Sequence, residues 1–230
     1  MTSTRSLISL GAALAGLTAL VASAAAAAPT LTTDRSCYTR YQTIRLSGSG
    51  YQPGSAQTVS IDGVPLPVTK NGGNTFIPTA QGNVPANATL PAPPPAPGTH
   101  SVRTYTISAS SSPSGSPVTA QTTFRVVHTN VDVDPPFITA GRVNFKALGF
   151  TYGPKVYIHY LKGRRQRHVA TRLLGPTYGP CGRLRKRARM FLFRPVPPAT
   201  YTLVFDNSPA YVAGYRPNFS FEAVVATTYF

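Results

Sequence analysis

Four arginines recur at every second position in GRLRKRARMFLF: Arg183, Arg185, Arg187 and Arg189. In an extended strand that spacing puts all four guanidinium groups on one face, over a length of about 20 Å. Leu184, Lys186, Ala188, Met190 and Leu192 then take the other face. Guanidinium groups in such a row repel one another unless anions, aromatic faces or solvent intervene. A second basic group, Arg164, Arg165 and Arg167 in KGRRQRH, falls where the strand VYIHYL must turn back. Two readings stand side by side. One is a cationic face that holds an anionic polymer such as a wall polymer or acidic polysaccharide, with affinity falling steeply as salt rises. The other is a solvated face on a very basic protein. Tyr157, Tyr160 and Tyr178 could supply stacking surfaces.

The two cysteines, Cys37 and Cys181, offer a different chemistry. An even number in an exported chain favours a disulfide. The rival is a free, nucleophilic Cys181, its thiolate favoured by the neighbouring cations, with His159 and His168 on the preceding hairpin. Exported thiol transferases of that kind place Ser/Thr-His-Gly before the cysteine, whereas Tyr178-Gly179-Pro180 precedes it here.

Catalytic constellations are otherwise thin. The acidic residues are Asp34, Asp62, Asp132, Asp134, Asp206 and Glu222, and nothing in their spacing sets two across one cleft. No nucleophile elbow, phosphate loop or zinc-protease motif occurs, and the four histidines lack ligand spacing. Asp132 and Asp134, read as part of an inter-domain linker, are too few for a calcium shell. No enzyme activity, cofactor or metal is expected. The alternative is a small exported thiol transferase or hydrolase with its site in the second half. Sequence-specific nucleic-acid reading is not expected either, since no recognition helix, aromatic RNA-binding pair or zinc motif is present.

The elements that must position these groups are strands. Val, Ile, Thr, Tyr and Phe occur in short runs punctuated by 19 Gly and 23 Pro, which is the signature of an all-β chain. Residues 1–28 read as a cleavable signal peptide: Arg5, an apolar run from Leu7 to Val21, then small residues with A-x-A windows ending between Ala25 and Ala28. No second apolar stretch is long enough to span a membrane, so a secreted protein is expected. The net charge of +16 is unevenly spread: fifteen of the 22 basic residues lie from 131 onward, facing four acidic ones.

One pattern occurs twice. TIRLSGSGYQPGSAQTVSIDG (43–63) matches RVNFKALGFTYGPKVYIHYLK (142–162) at a constant offset of 99, pairing Ile44 with Val143, Leu46 with Phe145, Gly50 with Gly149 and Tyr51 with Phe150. PGTHSVRTYTI and PATYTLVFD form a second matching pair, and FRVV and FEAVV a third. The prolines of LPAPPPAPG read as a stiff inter-strand loop and SASSSPSGSP as a hairpin loop.

The first copy, with Gly48, Gly50, Tyr51, Pro53, Gly54, Asp62 and Gly63, resembles the opening of bacterial immunoglobulin-like domains of secreted and cell-surface proteins. The second, with ALGFTYGPKVYIHYLKG and ATYTLVFD, resembles partner domains of exported actinobacterial proteins of unknown function. The repeat and the resemblance together imply two immunoglobulin-like β-sandwiches, 29–129 and a basic 130–230. The lack of catalytic constellations and the basic second half make a non-catalytic binding or structural role at the envelope the expectation. Its motifs mark corners and strands, and such a fold does not dictate a chemistry. A Cys37–Cys181 bond would then tie one domain to the other and fix their orientation.

Overall fold

A computed structural model of the protein describes residues 28–40, 42–65, 75–98, 101–111, 119–136 and 141–226. The expected signal peptide, apart from Ala28, lies outside the described residues, as does the tip of the serine-rich loop at 112–118. Among the described residues there is no helix, hence none long and apolar enough to cross a membrane.

The first half contributes β1 (Thr32–Thr33), β2 (Cys37–Thr39), β3 (Thr43–Ser47), β4 (Gln57–Ile61), β5 (Val64–Pro65), β6 (Thr75–Phe76), β7 (Thr89–Pro91), β8 (Val102–Ser111) and β9 (Thr119–Val127). One sheet runs β1-β3-β7 and the facing one β2-β9-β8-β4-β5, with β6 beside β4. The second half contributes β10 (Asn130–Asp134), β11 (Arg142–Leu148), β12 (Lys155–Lys162), β13 (Arg167–Pro176), β14 (Leu184–Arg189), β15 (Ala199–Asp206) and β16 (Phe219–Val225). Here the sheets are β10-β11-β14 and β13-β12-β15-β16.

Each pair of sheets encloses its own apolar cluster. Ile44, Leu46, Tyr51, Val59 and Ile61 lie in the first, Val143, Phe145, Phe150, Ile158 and Tyr160 in the second. The repeat thus places the same strand, corner and strand in each half, and its period-two positions are the ones that face inward. A second likeness becomes visible only in three dimensions. The Tyr105 hydroxyl donates to the Pro94 carbonyl, and the Tyr201 hydroxyl to the Pro197 carbonyl at 3.0 Å. Each tyrosine stands in the strand after a proline-rich turn and pins that turn, as a tyrosine corner does.

One expectation is corrected. The segment containing Asp132 and Asp134 is strand rather than linker: β10 pairs antiparallel with β11 over its whole length, Asp132 opposite Lys146 and Asp134 opposite Asn144. Pro135 and Pro136 follow that strand instead of preceding the sheet, so they cost it no ladder hydrogen bond. Only His128 and Thr129 separate β9 from β10.

Candidate functional site

The arginine row lies on β14, at the edge of the three-stranded sheet. Arg185, Arg187 and Arg189 are exposed on it, with Arg183 exposed just before it, while Leu184 and Met190 are buried. Pairing with β11 adds residues that the linear pattern did not single out. Arg189 stands directly opposite Arg142, Arg187 opposite Asn144 and Arg185 opposite Lys146, all exposed. Directly opposed residues share a face, so the outer surface of this sheet carries two like-charged cross-strand pairs. Across β11 the row continues to Asp132 and Asp134 on β10. The face is therefore graded, acidic along one edge and basic along the other. Tyr178, half-exposed, lines a shallow groove beside this face together with Arg183, Arg185, Lys146 and Asp132.

Arginine on an edge strand can serve only to keep the edge from pairing with another chain. That role does not call for Arg142 and Lys146, which belong to the central strand of the sheet.

The other predicted cations are elsewhere. Arg164 and Arg165 lie in the exposed turn between β12 and β13, and Arg167 opens β13, all in the opposite sheet. Of the three tyrosines, Tyr160 is a core residue, its hydroxyl donating to the Met190 carbonyl at 2.7 Å. Burial raises its pKa to about 12, slightly opposed by the nearby Arg172 charge.

Cys37 and Cys181 are bonded, so Cys181 is not the free nucleophile of the thiol-transferase alternative. The bond joins β2 to the turn before β14 and packs with Val127 and Leu148. Close to it, the Gln42 amide donates to the Thr151 hydroxyl at 2.8 Å, and the Arg35 guanidinium lies 4.7 Å from the centre of the Tyr152 ring. The backbone is pressed close here: a Cβ on Gly182, whose φ is +57°, would sit 2.1 Å from the Phe150 carbonyl oxygen.

A buried polar cluster escaped the sequence reading. His159 Nε2 lies 3.0 Å from Asp206 Oδ1, and His159 Nδ1 lies 2.8 Å from the Thr171 hydroxyl, which His168 Nε2 also approaches at 2.9 Å. The set is formally a carboxylate, an imidazole and a hydroxyl in line. His159 and Asp206 are fully buried, with Tyr211 packed 5.6 Å from the imidazole, whereas Thr171 is partly buried and His168 exposed. Asp206 also accepts the Ser208 backbone N–H at 2.7 Å. The cluster fastens the segment after β15 onto the outer face of the sheet. Among the described residues no three His, Cys, Asp or Glu side chains are placed to hold a metal ion.

Strand order defines the class. Three strands in the order first, second, fifth face four in the order fourth, third, sixth, seventh in the second half. The first half has the same plan, with β2 running parallel to the last strand, β9. These are immunoglobulin-like β-sandwiches. No protein-family model matches the chain, and no curated protein is similar to it. Among solved structures, a tetra-tandem repeat from the extending region of a large adhesion protein is 16% identical, with a TM-score of 0.29, over 86% of this chain. The chain spans 48% of that structure's length. Murine CEACAM1b is 14% identical, with a TM-score of 0.26, over 78% of this chain and 92% of its own. It is the strand order, and not these likenesses, that assigns the class.

Proposed function

We propose that the protein is an exported, non-catalytic binding protein of the cell envelope or extracellular space. It divides into two domains, 29–129 and 130–230, and the second presents its basic sheet face to an anionic polymer, a wall polymer or acidic polysaccharide. The observation that carries this reading is the pair of opposed cations, Arg142 with Arg189 and Lys146 with Arg185, exposed on one sheet face. Each such pair is unfavourable by itself, by several tenths of a kcal/mol. A row of phosphate or carboxylate groups laid along the face reverses that sign. The disulfide at the junction supports a fixed presentation of that face relative to the first domain.

Retention on heparin or on immobilised wall polymer tests the reading. Replacing Arg183, Arg185, Arg187 and Arg189 by Ser is expected to abolish retention at moderate salt. Undiminished retention of that variant would sink the proposal.

A further inference from the structure

Arg172 and Lys186 stand at positions where the sandwich calls for apolar side chains. Arg172 is directly opposite Ile158 in β12, and Lys186 directly opposite Phe145 in β11. Ile158 and Phe145 are both fully buried core residues. Opposed residues share a face, so both cations leave their strands on the interior side. They can do so because β13 and β14 are the edge strands of their sheets and lie along the open flank of the sandwich. There Arg172 and Lys186 line one hollow together with Arg142, Arg187, Arg189 and Phe191.

Arg172 is the unusual member. Its Nε and Nη2 are buried and have no hydrogen-bond partner. These two nitrogens form one edge of the planar guanidinium, the edge that grips two oxygens of a single oxyanion with parallel hydrogen bonds. The guanidinium carbon lies 6.0 Å from the centre of the buried Tyr160 ring. Burial lowers the Arg172 pKa, with a smaller opposing effect from Tyr160. A buried, unpaired bidentate edge is a costly feature to keep. It is explained if a partner arrives from outside.

We propose that this hollow binds a tetrahedral oxyanion, specifically a phosphate group, with the Nε–Nη2 edge of Arg172 as its grip and Lys186 as its counter-charge. The proposal deepens the reading of the basic face and rests on it for the source of the group, a phosphate monoester carried on the bound polymer at a chain end or as a side substituent. A carboxylate offers two oxygens, which the Arg172 edge alone would occupy. A phosphate monoester offers three free oxygens and up to two charges, matching cations that enter from β11, β13 and β14.

Titration calorimetry and thermal unfolding with inorganic phosphate, against acetate at equal ionic strength, test the hollow on the intact chain. Phosphate is expected to bind and to raise the unfolding temperature, and acetate to do neither. R172M and K186Q are each expected to weaken phosphate binding by roughly tenfold or more. Lys186 is exposed, so K186Q keeps the test valid should R172M fold poorly. In phosphate-free buffer R172M is expected to unfold at a higher temperature than the parent, because the unpaired buried charge is gone. Equal responses to phosphate and acetate, or unchanged phosphate affinity in K186Q, overturn the proposal.

Arg183 and Arg185 lie outside the hollow, so R183S/R185S is expected to lose polymer retention while keeping phosphate affinity. Failure of the face reading is thus seen on the resin and failure of the hollow in the calorimeter. Displacement of a polysaccharide bearing phosphate monoesters by inorganic phosphate identifies the polymer as the source of the group. Binding of inorganic phosphate without displacement identifies free phosphate as the ligand.

Discussion

The Cα atoms of Cys37 and Cys181 lie 5.1 Å apart although the two are 144 positions apart in the sequence. The bond connects the second strand of one sandwich to the turn that launches the arginine strand of the other. With only two residues between β9 and β10, the link adds a second covalent tie at the same junction. The polar contacts of Gln42 with Thr151 and of Arg35 with Tyr152 flank it.

The C37S/C181S double variant is expected to lose stability by at most about 5 kcal/mol, the loop-closure entropy of a crosslink of this span. Chemical denaturation measures the loss. Small-angle scattering should also show a wider spread of inter-domain angles in the variant. The parent should show no free thiol under denaturing, non-reducing conditions, and a titratable thiol there would refute the bond.

At the same junction, Gly182→Ala is expected to destabilise by about 2 kcal/mol or more, because the φ of +57° and the Phe150 carbonyl both oppose a Cβ. Gly163, also at positive φ (+70°) but with open space around its Cβ position, is the control. Its alanine variant should lose less stability than G182A in a denaturant melt.

The His159–Asp206 contact is expected to be structural. D206A leaves a buried imidazole N–H and the Ser208 backbone N–H without their acceptor and should cost about 1–3 kcal/mol. H159L/D206A removes both polar groups and should be less destabilised than the two single changes added together, giving a coupling of about 1–3 kcal/mol. Additive losses would mean that the two side chains do not act as a pair.

Much of the fold was readable because the two copies of one pattern share their inward positions: Ile44 and Val143, Leu46 and Phe145, Tyr51 and Phe150 are all buried. The alternation in RLRKRAR likewise predicted the exposed arginines. What stayed hidden depends on which strands become neighbours. Arg142 and Lys146 join the basic face only through the β11–β14 pairing. Asp206 meets His159 across 47 residues, and no local spacing marks such a contact. VDVD was misjudged because a short acidic run beside Pro-Pro looks like a linker, whereas β11 supplies the partner that makes it a strand. Arg172 has ordinary strand neighbours, and only the open flank between two sheets makes it unusual.

Salt dependence separates a polymer-binding face from a merely solvated one. The logarithm of the association constant for an anionic polymer is expected to fall linearly with the logarithm of salt concentration, by close to one unit of slope per anionic contact displaced. R185S/R187S should reduce that slope by about two. Affinity that ignores salt, or a slope unchanged in the variant, would count against the face.

Alkali should destabilise the second sandwich in part through Tyr160, beside Tyr201, whose pKa burial also raises. Burial raises its pKa to about 12, against about 10 for an exposed tyrosine, so the folded state favours the neutral phenol. A raised pKa means that the unfolded chain gives up this proton first. The stability contributed by the neutral group is therefore fully present below pH 10 and is lost as the pH climbs from about 10 towards 12. The shift corresponds to about 3 kcal/mol if the phenol stays buried up to the transition. Y160F has no proton to lose. It should be less stable than the parent at neutral pH, since it forgoes the hydrogen bond to the Met190 carbonyl. Its stability should nevertheless fall less steeply over the alkaline range. Equilibrium denaturation at a series of pH values, with phenolate absorbance followed in parallel, measures both slopes. Parallel curves for Y160F and the parent would show that the alkaline transition belongs to another group.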